Sequence, residues 1–563
     1  MKFSVRKLTA ITRTYRDFKR YQTILTVMIK YGFGDLVDTL KLRQFLEVGL
    51  KYVSGHDAAA QQPLTRAERL RMALEELGPT FVKFGQVLST RPDLVPLEYV
   101  DELSKLQDQV PPFAYSQARE IVRVELGGYP EEIFGGFDAV PLAAASIGQA
   151  HQATLMDGSE VVVKVQRPGI EALVEVDLEI MMFLAGMMES HLEEMERWRP
   201  TEVVEEFART LEKEIDYRCE ANHMERFAFE LAGDESVAIP KVYRSLTTAR
   251  VITMELVRGV KVSDFERLQA DGYDLPLIAR RGALSLLKQV FVLGFFHADP
   301  HPGNIFILPG NVICFIDFGM VGRISQAERE IFASLLSCAV AKDEKKMAAF
   351  MLCLTYFDHE PQRDKLERDL AELLDEHLFR AAGEMEVGDF LESLMNILSK
   401  RGLRLKPNLF LMMKAVMTVE KFGRRMDPDL RMFALAAPFV NEALRNRFAP
   451  LSVLESLIDP AYEMLELLRE LPGDSRAIIK QIKTGKLKVE FAHQGLKPFF
   501  LTLHSVTDRL VFAIVLAALI IGHSLLTMTP AWHQMRIYGF VGFVVSGVIG
   551  FWLLVSMMRS RKM

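Results

Sequence analysis

Residues 296–322 read FHADPHPGNIFILPGNVICFIDFGMVG. The pattern is a loop, a strand pair turned at Pro309–Asn311, and a second loop. The first loop carries His297-Ala298-Asp299 and then Asn304, in the spacing H-x-D-x-x-x-x-N. The second carries Asp317-Phe318-Gly319. Taken singly, a DFG is an ordinary turn and an H-x-D is nothing. Their order and their strand–loop setting give them weight.

Upstream, VPLAAASIGQAHQATL, MDGS and EVVVKVQRP read as strand, small-residue loop, strand, tight turn and strand. Asp157-Gly158 suits a hairpin turn. Val161, Val163 and Val165 alternate with Val162, Lys164 and Gln166, so Lys164 faces away from the three valines. A strand lysine, then a loop Asp and Asn, then DFG is the order of the protein-kinase signature. Phosphoryl transfer needs a cation on the α/β phosphates, two oxygen ligands for Mg²⁺, and a carboxylate for the attacking hydroxyl or water. Lys164, Asn304 with Asp317, and Asp299 are expected in those roles. His297 is expected to orient the loop backbone. His301 is also read as structural, because hard Mg²⁺ prefers oxygen.

A phosphate-cradling G-x-G-x-x-G is missing, and so is G-x-x-x-x-G-K-[ST]. Ala143-Ala144-Ala145-Ser146 stands where the glycine-rich loop belongs, with Gly148 beyond. Alanine restricts φ, so this loop should be stiffer. Ser146 could cap a phosphate or simply a turn.

The set as a whole resembles the UbiB/AarF atypical kinases, whose eukaryotic members support coenzyme Q synthesis. The resemblance rests on Lys83-Phe84-Gly85-Gln86 (K-x-G-Q), the Ala-rich loop, Glu214-Ile215-Asp216 (E-x-D), HADPHPGN, DFG and a C-terminal hydrophobic pair. It implies that K-x-G-Q lies on an N-terminal extension folded across the active site, where a protein substrate would enter. Lys83 and Gln86, three apart on a helix, share a face and are expected in one pocket. Within EKEIDYRCEANHM, read as one helix, Asp216 and Glu220 share a face and Glu214 points elsewhere. Spacing leaves Glu214 and Glu220 equal candidates to pair with Lys164. The resemblance implies Glu220 for Lys164 and Glu214 for Lys83. It also implies that adenine rests near Glu255-Leu256-Val257.

The fold is expected to be α+β: a kinase-like two-lobed unit with a helical N-terminal extension and a C-terminal two-helix transmembrane hairpin. The divisions are 1–125 (extension), 126–258 (N-lobe), 259–450 (helical C-lobe), 451–508 (basic stem) and 509–558 (hairpin). Residues 1–130 read as helical, with breaks at Gly34, Gly55, Gly78-Pro79 and Pro111-Pro112. KVYRSLT and ARVITMELV are expected to be strands, and 276–296 a helix.

A net charge of −6 argues against a dedicated nucleic-acid binder. Four cysteines exclude a disulfide scaffold, and the lack of a C-x-x-C argues against structural zinc. Mean hydropathy is slightly positive at +0.11. The excess sits in Leu510–Met528 and Ile537–Met558, runs without formal charge that are long enough to span a bilayer. Gly542, Ser546 and Gly550 give a small-residue stripe suited to close helix approach. Lys and Arg flank the pair on both outer sides, whereas the turn holds only Arg536. Both termini are therefore expected in the cytoplasm, at the inner membrane. The family implies ATP and Mg²⁺ as cofactors, and a bilayer, quinone precursors and quinone-biosynthesis proteins as partners. A homodimer is one option. The expected activity is a membrane-anchored kinase or ATPase supporting isoprenoid quinone synthesis. The alternatives are a small-molecule or protein kinase, or a non-catalytic nucleotide-dependent scaffold.

Overall fold

The computed structural model describes residues 15–40, 42, 64–89, 91, 95, 97–106, 110–192, 199–357, 361–377 and 386–447, with isolated positions between 514 and 544. The chain falls into two compact units, Met1–Glu455 and Ser456–Met563, and nearly all described residues lie in the first. The expected break at Gly55 and the basic stem lie outside the described residues, as does the transmembrane hairpin apart from those isolated positions. Among the described residues, no helix is long and apolar enough to cross a membrane.

The chain begins with α1 (Tyr15–Lys30), α2 (Gly34–Thr39), α3 (Arg66–Leu77), α4 (Pro79–Leu88) and α5 (Leu97–Leu103). A capping box between Thr65 and Glu68 starts α3, and Pro79 opens α4 in the first turn, where its missing N–H costs nothing. α6 (Tyr115–Leu126) and α7 (Pro130–Ile133) lead into the first sheet.

That sheet holds β1 (Gly136–Phe137), β2 (Ala143–Ala144), β3 (Gly148–Thr154) and β4 (Glu160–Gln166). The expected turn forms, with the Leu155 N–H donating to the Ser159 carbonyl at 2.8 Å. Val161, Val163 and Val165 are fully buried against Ala118, Ile121 and Val122 of α6 and against Phe134. Burying one such side chain is worth about 1.5–3 kcal/mol. Lys164 is thereby fixed on the opposite face.

Next come α8 (Ile170–His191), α9 (Pro200–Ile215) and α10 (Tyr217–Glu230). One helix was expected across EKEIDYRCEANHM, but Asp216 breaks it. Asp216 has extended backbone and caps α10 by accepting the Arg218 N–H. β5 (Val237–Ala238) follows, and then β6 (Val251–Glu255), which closes the first sheet in the order β1-β3-β4-β6 with β2 on β3. KVYRSLT is not a strand. Val242 makes one isolated bridge to Met254, and Arg244–Leu246 forms a 3₁₀ turn. Arg244 leaves the strand path to pair with Glu225 of α10.

β7 (Val260–Lys261) already belongs to a second sheet, so Leu256–Gly259 is the crossing between lobes. α11 (Phe265–Ala270) and α12 (Leu275–Lys288) precede β8 (Phe295–His297), β9 (Ile305–Leu308), β10 (Val312–Phe315) and β11 (Val321–Arg323). The expected helix over 276–296 gives way to a π turn at Gln289–Leu293. The second sheet runs β5-β10-β9-β7, and β8 pairs with β11. The helical lobe is completed by α13 (Gln326–Ala341), α14 (Glu344–Cys353), α15 (Arg363–His377), α16 (Val387–Lys400), α17 (Pro407–Met426) and α18 (Met432–Arg447), with the short pair β12 (Thr355–Tyr356) and β13 (Arg404–Leu405).

The extension shares one core with the N-lobe helices. Leu74, Phe81 and Leu103 pack with Val174 of α8, Phe207 and Leu211 of α9, and Ile147 of the Ala-rich loop. Arg20 locks α1 to α8 by donating to both carboxylate oxygens of the fully buried Asp177, at 2.6 and 2.9 Å.

Candidate active site

Lys164 Nζ donates to Glu220 Oε1 at 2.5 Å. Glu220 stands on the first turn of α10 and is buried. Burial opposes the charge on Lys164, but the carboxylates of Glu220 and Asp317 prevail and hold its pKa above the ordinary lysine value.

The DFG turn is tied to the same helix. The His223 ring on α10 bonds the Phe318 carbonyl at 2.9 Å. Phe318 is fully buried, 5.1 Å from the Phe227 ring and 5.3 Å from the His297 ring. The Gly319 N–H donates to Asp317 Oδ1 at 2.9 Å. Burial alone would raise the Asp317 pKa. Lys164, the Gly319 N–H, and more weakly His297 and Lys83 leave it below the usual carboxylate range.

Hairpin register brings Asn304 to Asp317. Phe315 pairs with Ile305, and the next residue, Ile316, donates its N–H to the Asn304 carbonyl at 3.1 Å. The two expected metal ligands thus flank one backbone hydrogen bond. Both offer oxygen donors, the chemistry that Mg²⁺ prefers when phosphates and water complete its shell. Among the described residues, no group of three or more His, Cys, Asp or Glu could hold a metal by itself.

His297 is structural. It is buried, its backbone N–H donates to Gln289 Oε1, and its Nδ1 accepts the Asp299 N–H at 3.3 Å. It therefore holds the backbone at Asp299. His301 accepts the Gly303 N–H through Nδ1 and shapes the turn to Asn304.

The Ala-rich loop is a tight hairpin: Ala143 pairs with Ala150, Ala144 with Gln149, and the Ala145 N–H donates to the Gly148 carbonyl. The Arg167 guanidinium binds the carbonyls of Ala145 and Pro111 at 3.3 and 3.0 Å, stapling the loop to the extension. Ser146 is buried, which favours the turn role over phosphate capping. A Cβ on Gly148 would lie 2.3 Å from the Tyr217 hydroxyl and 2.6 Å from the Val165 carbonyl. Arg167 and Tyr217 were not anticipated; an arginine right after a strand and the tyrosine of E-x-D-Y are ordinary in sequence.

At the lobe crossing, the Leu256 N–H donates to the Glu160 carbonyl and the Glu255 N–H to the Lys241 carbonyl. Of the expected adenine neighbours, Glu255 ends β6 and Val257 stands on this crossing.

The extension delivers Lys83. Its Nζ lies 2.5 Å from Glu214 Oε1 on α9, and its charge acts on Asp317. Phe84 packs edge-on to Phe207 at 5.1 Å, and Arg91 pairs with Glu206 at 3.1 Å. The Gln86 amide donates to the Leu106 carbonyl at 3.2 Å and braces the extension. Gly85 is a packing glycine: a Cβ there would lie 2.3 Å from Leu106 Cδ1 and 2.9 Å from Leu74 Cδ1. Asp216 likewise turns to Arg218, with contacts at 2.7–3.2 Å, rather than to Glu220's partner.

The chain matches three family models: an ABC1 atypical kinase-like domain over residues 105–351, a UbiB helical domain over 370–431, and an ABC1/UbiB kinase-like C-terminal domain over 494–559. It is 35% identical over 478 residues to the Probable protein kinase UbiB of Marinobacter nauticus, covering 84% of this chain and 86% of that one. A protein of the same name from Vibrio atlanticus is 32% identical, covering 96% and 98%. An uncharacterized Clostridium pasteurianum protein from the hydrogenase 1 5′ region is 32% identical, covering 96% and 99%. Rv3197 of Mycobacterium tuberculosis, solved with erythromycin, is 25% identical, covering 66% and 95%, with a TM-score of 0.48. The strand lysine, the helix glutamate and the two loops converge on one site, and the two UbiB relatives cover 84% and 96% of the chain at 35% and 32% identity; the chain belongs to the ABC1/UbiB kinase-like family.

Proposed function

We propose that this chain binds ATP with Mg²⁺ and turns it over beside a membrane, as an atypical kinase or ATPase that supports isoprenoid quinone synthesis. The observation that carries the proposal is the convergence on Asp317. Lys164 is held by Glu220, Asn304 is joined through Ile316, and His223 fixes the turn.

In this reading Lys164 grips the α/β phosphates. Asn304 and Asp317 hold Mg²⁺, which when bound neutralises phosphate charge. Adenine lies along the crossing at Glu255 and Val257. Ala143, Ala144, Ala145 and Ser146 form the stapled roof. Asp299 accepts the proton of water or a hydroxyl as its oxygen bonds to Pγ, and the bond from Pγ to the β–γ bridging oxygen breaks to release ADP. Lys83 and Glu214 occupy the entrance a polypeptide acceptor would use. That favours ATP turnover coupled to a lipid precursor over ordinary protein phosphorylation.

Membrane attachment is supported by the two uncharged runs and their Lys/Arg flanks. In this reading the site lies in the cytoplasm, at the inner membrane. The test measures ATP turnover of the full chain in liposomes, with and without quinone-precursor-like phenols, for wild type and Asp317→Asn. Turnover should fall on the order of a thousandfold in the variant. Equal turnover in the two would overturn the assignment.

A further inference from the structure

The Ala-rich loop is fastened to the chain that enters the lobe from the extension. Pro111-Pro112-Phe113 forms that linker, between α5 and α6. Gln149 of β3 lies opposite Ala144 in the hairpin and is 2% exposed. Its side-chain amide pairs with the Phe113 backbone as a neighbouring strand would. Oε1 accepts the Phe113 N–H at 3.0 Å, and Nε2 donates to the Phe113 carbonyl at 3.3 Å. His151 fixes the amide in that orientation. The His151 Nδ1 meets the Asp138 carbonyl at 2.8 Å and must donate to it, so Nε2 of the neutral ring accepts the second Gln149 N–H at 2.9 Å.

Arg167 makes the second fastening. Its backbone N–H donates to the Ile147 carbonyl at 2.7 Å and closes the base of the loop. Its guanidinium bonds Ala145 on the loop and Pro111 on the linker, and lies 5.5 Å from the Phe113 ring centroid. Gln149 and Arg167 therefore each hold loop and linker at once. A glycine-rich loop can lift off a nucleotide by flexing within itself. Here alanine restricts φ, Ala143 and Ala144 are paired in a strand, and the Ala145 carbonyl is bonded to Arg167. To rise, the loop must break its ties to Pro111 and Phe113 or carry the linker with it.

We propose that Gln149 and Arg167 are positioning residues that clasp the Ala-rich loop to the linker, and that this clasp sets how long a nucleotide stays bound. The proposal rests on the nucleotide reading above and deepens it, by naming what holds the nucleotide in. Each residue acts through the loop and not on the phosphates. Opening the clasp frees the loop to lift, so release is faster while entry to the site is little changed.

The test uses the full-length protein in liposomes, with Arg167→Met, Arg167→Lys, Gln149→Leu and the Arg167→Met, Gln149→Leu double variant beside wild type. N-methylanthraniloyl ADP is bound in the presence of Mg²⁺ and chased with unlabelled ADP by stopped flow. Release should speed up about threefold to tenfold in each neutral single variant, with association within about twofold of wild type. Arg167→Lys keeps the charge and can reach one carbonyl, so it should recover part of the loss. The double variant should fall short of the product of the two single effects, because both residues hold one joint. A variant that is merely destabilised loses signal amplitude, while its remaining folded molecules release ADP at the wild-type rate. That outcome in every variant, or a double variant that reaches the full product, would overturn the proposal. A wild type that binds no ADP would overturn the nucleotide reading itself, and the proposal with it.

Discussion

Two lysines act on Asp317, and each is tethered to a glutamate at 2.5 Å. Lys164 comes from β4 and pairs with Glu220 of α10. Lys83 comes from α4 of the extension and pairs with Glu214 of α9. Asp216, the cap between α9 and α10, separates the two glutamates. The pairs are chemically alike, yet their anchorage differs. Lys164 rises from a strand whose other face is a valine core. Lys83 rides on a helix held to the lobe by the Phe84–Phe207 contact and the Arg91–Glu206 pair. In the proposed reading one belongs to the nucleotide machinery and the other to a covering layer. The lesson is that a cation near the DFG carboxylate can serve the site or obstruct it, according to which layer carries it.

The hardest break of this contrast is Lys164→Met. Turnover should fall on the order of a hundredfold. The buried Glu220 left behind should cost about 3 kcal/mol of stability, visible in thermal melts. Lys83→Met should act with the opposite sign on metal binding. It removes a positive charge that competes with Mg²⁺ at Asp317, so Mg²⁺-dependent ADP binding should tighten by about threefold to tenfold. Isothermal titration at fixed ADP and varied Mg²⁺ reads this directly. Gly148→Ala sharpens the contrast at the roof. The new methyl meets the Tyr217 hydroxyl and the β4 backbone, for about 1–3 kcal/mol of destabilisation in a denaturant series. Gln86→Ala is the mildest. It removes the bond to the Leu106 carbonyl, so about 1 kcal/mol of stability should be lost, with turnover within about twofold of wild type.

Legibility in the sequence followed the range of the contacts. The valine alternation placed Lys164 because strand period alone fixes which face a residue takes. Asp299, Asn304 and Asp317 were readable because a short hairpin joins them and their spacing is rigid. The Lys164–Glu220 and Lys83–Glu214 pairings needed the family resemblance, because they span separate helices and layers. The Gln86 bond to the Leu106 carbonyl was not readable, because it joins α4 to a residue beyond that helix. E-x-D misled at Asp216, where a capping aspartate ends one helix and begins another. KVYRSLT had strand composition, and the Arg244–Glu225 pair overrode it. Arg167 and Tyr217 carried no local signal.

The central claim is that Asp317 anchors a Mg²⁺–nucleotide site served by Lys164 and opposed by Lys83. The most direct measurement is a Mg²⁺ titration of ADP binding to wild type, Lys164→Met and Lys83→Met. The account predicts Mg²⁺-dependent binding in wild type, weaker binding without Lys164 and tighter binding without Lys83. Binding that ignores Mg²⁺, or two variants that shift the same way, would contradict it.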